Sequence, residues 1–176
     1  MSPTEPSEVQ QQYAHGKPRP LRGYVVLMGA YAVLSGGLVA WARKSAPQDR
    51  QLRWGDLARI TVATARLGRL VTKDSVTSPL RAPLTRYAGH GLPSEVNEEV
   101  AGWARSRTLP HAVAELVTCP FCMAQWTATG LVCAHVLAPR RARMATDILV
   151  AAAGADALQY AMASLEHVER RLGQDA

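Results

Sequence analysis

The sequence predicts an all-α fold, a small helical membrane protein with about three transmembrane helices plus one amphipathic helix. Apolar residues are concentrated in long stretches almost free of charge, although the mean hydropathy of the 176-residue chain is only −0.07. Lys and Arg flank these stretches. As a helix, the first apolar stretch has the length needed to cross the hydrocarbon core of a membrane. The predicted organisation is a disordered N-terminal tail (1–22), a helical membrane domain (23–165) and a polar C-terminal tail (166–176).

The basic balance of the chain, +6 with an isoelectric point near 9.7, fits two classes of protein. Nucleic-acid-binding proteins share such values, and so do membrane proteins with basic loops next to anionic lipid. The cations flank apolar segments, and a single Phe gives little material for stacking on bases. We therefore expect no nucleic-acid partner. The expected partners are the lipid bilayer and a membrane protein or a second copy of the chain.

The first predicted span is Gly23–Ala42, twenty residues without a charge. As a helix it measures about 30 Å, the thickness of a hydrocarbon core. Tyr24 and Trp41 lie near its two ends, where amphipathic rings are favoured. Two alternatives remain open, a cleaved signal peptide ending at Ala40-Trp41-Ala42 and a buried helix of a soluble fold.

Residues 54–73 predict an amphipathic helix, because apolar positions from Leu57 to Val71 follow helical spacing. Its cations cluster on another side: Arg59, Arg66, Arg69 and Lys73. Burying all of them in lipid is costly, so the helix is expected on the membrane surface or on the surface of a folded domain. Residues 74–110 contain four prolines and predict a loop with short helical pieces, one running from Ser94 to about Arg107.

Two further apolar stretches predict the second and third spans. Residues 112–139 include a run from Leu116 to Pro139 with no formal charge. Residues 144–165 contain Asp147 and Asp156, which at membrane depth should face a partner helix or be neutral. The third stretch could instead be a hairpin helix buried in protein.

The most distinctive local feature is Cys119-Pro120-Phe121-Cys122. Two thiols three residues apart at a helix N-terminus can form a disulfide or share a metal, and the helix dipole favours the attacking thiolate. A thioredoxin-type site needs a preceding strand, for which residues 112–117 are the only candidate. Zinc needs about four ligands, which are not supplied here. Packing of small thiols against a neighbouring helix is the explanation that the sequence favours for the cysteines.

The second feature is the segment 69–87, which is dense in hydrogen-bond donors. Such a loop could bind a phosphate or a lipid headgroup, or it could be a solvated basic loop whose side chains cap helix ends. Ser, His and acidic residues elsewhere form no known catalytic pattern, so no catalytic residue, metal ligand or cofactor is predicted.

The stretch RLVTKDSVTSPLRAPLTRY, followed about thirty residues later by ELVTCPFCMAQW, resembles the bacterial family called domain of unknown function 1360. The resemblance covers roughly residues 25–165 and implies a small membrane protein without an established activity; one member is named as a sporulation protein. The residues that match the family's motifs are the candidate functional set: Arg69, Thr72, Lys73, Asp74, Thr77, Ser78, Pro79, Arg81, Pro83, Thr85, Glu115, Cys119, Pro120, Cys122 and Trp126.

These observations predict a multi-pass protein of the cell membrane with a non-enzymatic role in the envelope or in assembly, including sporulation. One alternative is a membrane thiol-redox protein that uses Cys119 and Cys122. The other is a lipid- or anion-binding module that uses Arg69, Lys73, Arg81 and Arg86. Contact between segment 69–87 and the cysteine turn would indicate one shared site, and separation would indicate two structural motifs.

Overall fold

The structure is a computed structural model that describes residues 19–45 and 52–174. The described helices are α1 (Leu21–Ser45), α2 (Trp54–Thr72), α3 (Ser78–Arg81), α4 (Gly102–Arg105), α5 (Thr108–Thr118), α6 (Pro120–Leu137) and α7 (Pro139–Gln174). A 3-10 turn covers Ser75–Thr77, and one antiparallel hairpin pairs β1 (Thr85–His90) with β2 (Val96–Val100). The all-α prediction is confirmed, with this small sheet as an addition.

The structure describes only a few residues of the predicted N-terminal tail and most of the predicted C-terminal tail. Residues 1–18 of the predicted disordered tail lie outside the described residues, and α1 already begins at Leu21. At the other end, α7 continues through the predicted boundary at residue 166 as far as Gln174.

Two helices are long and apolar enough to cross a membrane, α1 and the Pro139–Arg171 part of α7. With 25 residues, α1 measures about 37 Å. Helices α5 and α6 together meet the same criterion but are bent by 82° at the break between them. The three predicted spans therefore correspond to two long helices and one broken pair.

Helix α2 packs against both α6 and α7. Its buried face repeats every four residues: Asp56, Ile60, Thr64, Gly68 and Thr72. This spacing places one stripe of a helix against its neighbours, and the small residues Ala63 and Gly68 permit close approach.

The acidic residues of α7 contact the basic face of α2. Arg59 Nε lies 3.3 Å from an Asp147 carboxylate oxygen, and Arg66 Nε lies 3.1 Å from Asp156. Asp147 and Asp156 are expected to face a partner helix at membrane depth, and each contacts an arginine of α2. Each ion pair brings together two charged groups that would be costly to bury alone.

Asp56 joins the first turns of α2 and α7. Its carboxylate accepts hydrogen bonds from Arg143 Nε at 3.1 Å and Arg143 Nη2 at 3.2 Å. These hydrogen bonds hold the pKa of Asp56 below its usual range, against the opposing effect of burial. The pair fixes the start of α7 relative to α2.

The interior is built from small side chains, and large apolar side chains point outward. The buried apolar residues are mainly alanines: Ala42, Ile60, Ala63, Ala104, Ala112, Ala114, Cys133 and Ala142. Val25, Met28 and Val33 of α1 and Leu158 and Met162 of α7 are each more than half exposed. Small residues inside and large apolar residues outside are typical of helices that pack against one another within lipid.

The helix predicted from Ser94 to about Arg107 is wrong, because Val96–Val100 is a strand and only Gly102–Arg105 is helical. Val96, Glu98 and Val100 are half-buried and alternate with exposed residues, which is the two-residue period of a strand. The register shifts between Tyr87 and Gly89, and Gly89 has a φ of 129°, a conformation that glycine readily adopts at a bulge.

Candidate functional site

Arg81 is the centre of a buried hydrogen-bonded group, which we call the Arg81 cluster: Val71, Asp74, Thr77, Ser78, Arg81, Thr85 and Glu98. The Arg81 side chain is 1% exposed, and its Nε and Nη2 donate to the two Glu98 carboxylate oxygens at 2.8 and 3.1 Å. Nη1 donates to Val71 O at 2.6 Å and to Thr77 Oγ1 at 2.7 Å. Nη2 also donates to Asp74 O and Ser78 Oγ. The guanidinium thus ties the end of α2 to the hairpin.

Glu98 is held as a carboxylate by the same cluster. Burial raises its pKa, but hydrogen bonds from Arg81, Thr85 and Ser78 and the charge of Arg81 outweigh burial, so its pKa lies below the usual value. Thr85 Oγ1 contributes a contact of 3.0 Å to a Glu98 carboxylate oxygen. The pair is therefore ionised and fully hydrogen-bonded at neutral pH.

The other motif residues of segment 69–87 also face protein groups. Arg69 Nε lies 3.1 Å from Glu95, and the Arg69 guanidinium also donates to the Tyr160 hydroxyl. Asp74 pairs with Arg66 at 2.9 Å. Thr72 Oγ1 donates to the Gly68 carbonyl within α2, and Lys73 is the C-cap residue that follows α2, with its backbone N–H donating to the Arg69 carbonyl. Three of the four proposed anion-binding residues thus already contact carboxylates: Arg69, Arg81 and Arg86, the last through Glu99 at 2.9 Å.

Cys119 and Cys122 lie at the bend between α5 and α6. Cys119 precedes Pro120, the first residue of α6, and the Cys122 amide donates to Cys119 Sγ at 3.3 Å. Proline is favoured in this first position because it lacks the amide hydrogen that a helix start cannot use. The strand considered for residues 112–117 is absent, since these residues lie in α5. Both thiols are free; Cys119 is half-buried and Cys122 is exposed.

The two thiols line a cavity of about 850 Å³ between α1 and the bent α5–α6 pair, which we call the cysteine groove. Its walls are mostly apolar, with polar groups at a few points. The lining residues are Arg19, Tyr24, Leu27, Met28, Tyr31, Ala32, Ala112, Glu115, Leu116, Thr118, Cys119, Cys122, Gln125 and Trp126. Glu115, Cys119, Cys122 and Trp126 of the candidate set are thus brought together.

One end of the groove carries an acid. The Tyr24 hydroxyl donates to Glu115 Oε2, and Nε2 of the buried His111 lies 3.6 Å from Glu115 Oε1. Glu115 precedes Cys119 by one helical turn, so its carboxylate and the thiols share the groove. A carboxylate beside two thiols can accept the proton that a thiol loses on reaction.

The other end of the groove carries an amide and two aromatic rings. Gln125 Nε2 donates to the Tyr31 hydroxyl at 2.8 Å, and that hydroxyl lies 2.6 Å from Thr129 Oγ1. The Tyr31 and Trp126 rings meet edge to face, with centroids 5.2 Å apart. These contacts join α1 to α6 and place polar and aromatic surface next to Cys122.

The Arg81 cluster and the cysteine groove are two separate places. No residue of segment 69–87 is among the residues that line the groove. Helix α2, which begins before this segment, approaches the cysteine turn at Gly68, where an added Cβ would lie 3.5 Å from the Pro120 carbonyl oxygen. Within residues 19–45 and 52–174, no group of three or more His, Cys, Asp or Glu side chains could hold a metal ion.

Sequence reasoning did not identify several polar residues of the groove, among them Tyr24, Tyr31 and Gln125. Tyr24 is expected at a membrane interface, and its hydroxyl contacts Glu115 across 91 positions of the chain. The available signal was Gln125, an uncompensated amide in an otherwise apolar stretch. Its partner could not be named, because the contact joins α1 to α6 and depends on how the helices cross.

Comparison with protein families matches residues 60–162 to a family described as "Protein of unknown function (DUF1360)". The match includes both motif segments and begins after α1, the helix that forms the other wall of the groove. No curated protein and no solved structure matches the chain. Because the match spans more than half of its residues, the chain belongs to the DUF1360 family of proteins of unknown function.

Proposed function

We propose that this chain is a multi-pass protein of the cell membrane that carries a reversible dithiol, Cys119 and Cys122, in the wall of an apolar groove. The observation that carries the proposal is the position of the two free thiols. They share the first turn of α6, open onto the cysteine groove and have the Glu115 carboxylate beside them.

The membrane part of the proposal rests on three observations. Helices α1 and α7 have the required length and apolarity, their large apolar side chains point outward, and the charges of α2 are paired with those of α7. Cell fractionation tests it directly. Recovery of the chain in the soluble fraction without detergent would refute the membrane location.

The dithiol part rests on chemistry available at the start of α6. The Cys122 amide donates to Cys119 Sγ, so the two sulphurs belong to one tight turn. The thiol that attacks a disulfide or another oxidant needs exposure, and Cys122 is exposed while Cys119 is half-buried. A disulfide between them closes a four-residue ring, which involves little loop entropy and lets the pair open and close.

Counting accessible thiols in membranes tests the dithiol. Wild-type membranes are treated with diamide or dithiothreitol, denatured, and labelled with a maleimide that adds a fixed mass to each thiol. Wild type should carry three labels after reduction and one after oxidation, the remaining label being on Cys133. Cys133→Ser should carry two labels after reduction and no label after oxidation. Cys122→Ser should carry two labels under both conditions. Three labels in wild type under every condition would refute the dithiol.

The second candidate is a non-enzymatic role in the envelope or in assembly, including sporulation, with a membrane protein or a second copy of the chain as partner. The observation that favours it is the Arg81 cluster, where charged and hydroxyl side chains of the motif contact one another and hold the fold. Complementation of a deletion strain distinguishes the candidates. Full rescue by the Cys119→Ser/Cys122→Ser double variant would favour the non-enzymatic role, and loss of rescue with normal protein level would favour the dithiol.

A further inference from the structure

We propose that the cysteine groove binds a quinone-type molecule, a flat ring with two carbonyl oxygens on a hydrocarbon tail, which accepts two electrons from Cys119 and Cys122. The inference rests on the proposed dithiol function and adds the chemical class of its electron acceptor. It also assigns Gln125 and Trp126 as residues that position the ring.

The position of the two thiols in an apolar groove limits the kind of electron acceptor that can reach them. The groove lies between α1, which is long and apolar enough to span a membrane, and the α5–α6 pair, which meets the same criterion when its two bent helices are counted as one span. Its walls between the polar ends are formed by apolar side chains: Leu27, Met28, Ala32, Ala112 and Leu116. An oxidant that reaches the thiols by this route must dissolve in lipid and accept two electrons, and quinones do both.

The size of the groove fits such a ligand. Its volume of about 850 Å³ falls within the range of roughly 300–1,000 Å³ that small-molecule sites occupy. A substituted benzoquinone ring with the first units of its tail fills a space of this order. The apolar wall formed by α1 would contact the tail, and the bend of α5–α6 would contact the ring.

The polar groups of the groove lie where a quinone ring needs them. Gln125 is exposed, and its amide bears two N–H groups, of which one donates to Tyr31. The second N–H can donate to a ring carbonyl. The Tyr31 and Trp126 rings offer aromatic surface against which a flat ring packs. Gln125 and Trp126 follow Cys122 by three and four residues, so they lie one turn further along the same face of α6.

The reaction balances without any other reactant. The S–H bonds of Cys119 and Cys122 break, and one Sγ–Sγ bond forms. The two electrons pass to the quinone ring, and the two protons pass to its carbonyl oxygens, so that one quinol is produced for each disulfide. Glu115 is placed to accept a thiol proton first, since its carboxylate shares the groove with both sulphurs.

The test uses the purified full chain in lipid nanodiscs. The protein is reduced, desalted and mixed with a decyl benzoquinone whose ring positions are all substituted, so that a thiol cannot add to the ring. Loss of quinone absorbance is followed while the thiols are counted by mass labelling. We expect one quinone consumed per protein, with loss of two thiols. Cys119→Ser should consume none, and Cys133→Ser should behave like wild type.

The positioning role is tested by Gln125→Leu, with Thr127→Val as a control on the same helix outside the groove lining. Loss of one hydrogen bond of about 1 kcal/mol corresponds to roughly a 5-fold weaker interaction, so the quinone concentration that gives half the maximal rate of thiol loss should rise by about that factor. Oxidation of the same variant by water-soluble diamide should be unchanged. Trp126→Leu should raise this half-saturating concentration in the same way, and Thr127→Val should leave it unchanged.

The outcomes separate this inference from the proposed function. If diamide oxidises the Cys119–Cys122 pair but quinone absorbance stays constant, the quinone inference is wrong and the dithiol function stands. If quinone is reduced equally well by wild type, Gln125→Leu and Trp126→Leu, reaction occurs without binding and the groove is not the site. If neither oxidant removes thiols, both proposals fail.

Discussion

Arg81 and Cys122 belong to the same set of family-motif residues, yet the protein uses them in opposite ways. The Arg81 side chain is 1% exposed, and its guanidinium is surrounded by hydrogen-bond acceptors of the Arg81 cluster. Cys122 is exposed and faces a groove of about 850 Å³. The first residue has no capacity left for a ligand, whereas the second has space and reactive chemistry. Under the proposed dithiol function, the stability of the protein depends on the arginine half of the motif set and its function on the cysteine half.

The largest expected effect is that of Arg81→Ala on the stability of the Arg81 cluster. The substitution leaves the buried Glu98 carboxylate without its partner, and breaking a buried ion pair costs about 3–5 kcal/mol. Arg86→Ala is the matched control in the same hairpin, because Arg86 and Glu99 form an exposed pair at 2.9 Å. Exposed pairs contribute about 0–1 kcal/mol.

The free energy of unfolding of both variants can be measured in detergent by denaturant titration with tryptophan fluorescence. Equal losses for Arg81→Ala and Arg86→Ala would contradict the difference in burial between the two pairs. A lipid- or anion-binding role for Arg81 predicts a different result, in which Arg81→Ala changes ligand binding while the stability of the protein is maintained.

The next effect concerns the contact between α1 and α5 that closes one end of the cysteine groove. A Cβ on Gly23 would lie 2.4 Å from the Thr108 carbonyl oxygen and 2.7 Å from Ala112 Cβ. Gly23→Ala must therefore displace α1, and overpacking of this kind costs about 1–3 kcal/mol. Gly36→Ala is the control on the same helix, since nothing lies within 4 Å of its added Cβ.

The displacement can be followed by the rate at which a maleimide reagent labels Cys119 in membranes. The half-buried Cys119 should react faster in Gly23→Ala, whereas Gly36→Ala should match wild type. An unchanged rate in Gly23→Ala would mean that α1 does not form the groove wall as described.

A smaller effect is expected from pH, and Glu98 of the Arg81 cluster should contribute to it alongside Asp56, whose pKa is also lowered. The pKa of Glu98 is lower in the folded protein than its usual value of 4.5. The unfolded chain therefore binds a proton more readily, and the stabilising contribution of Glu98 is present above pH 4.5 and lost as the pH falls through the folded pKa.

Unfolding titrations between neutral and acidic pH measure this contribution. Wild type should lose stability as the pH falls below the usual carboxyl range, and Glu98→Gln should show a shallower decline from a lower starting value. Glu99→Gln, in the exposed pair of the same strand, should retain the wild-type slope. A wild-type slope in Glu98→Gln would show that other carboxyl groups carry the acid sensitivity.

The sequence was sufficient for the helices with strong local signals. The apolar run Gly23–Ala42 lies within α1, and residues 54–73 coincide with α2 to within one residue. The hairpin was missed because Ser94–Glu99 resembles an acidic helix start, while the strand depends on pairing with Thr85–His90 and on the contact of Glu98 with Arg81. The secondary-structure propensity of a short segment does not predict a contact between residues 17 positions apart.

The candidate site was predicted in part for the same reason. Glu115, Cys119, Cys122 and Trp126 were identified because they belong to the short stretch ELVTCPFCMAQW, which resembles the family's motif. Their partners on α1, Tyr24 and Tyr31, are more than 90 positions away, and the close approach at Gly23 that brings them near is a property of helix packing. The groove therefore becomes visible only when α1 is placed against α5 and α6.

The smallest expected change in stability is that of Cys122→Ser, which sharpens the comparison between the two regions. The Cys122 side chain is exposed, so replacing sulphur by oxygen should change the free energy of unfolding by less than about 0.5 kcal/mol. Cys133→Ser is the counterpart, because Cys133 is buried and a hydroxyl without a new partner costs about 1–3 kcal/mol there. The two variants should thus have opposite profiles: Cys122→Ser stable but without dithiol oxidation, and Cys133→Ser less stable with dithiol oxidation retained. A marked loss of stability in Cys122→Ser would assign the cysteine turn a packing role, like that of the Arg81 cluster.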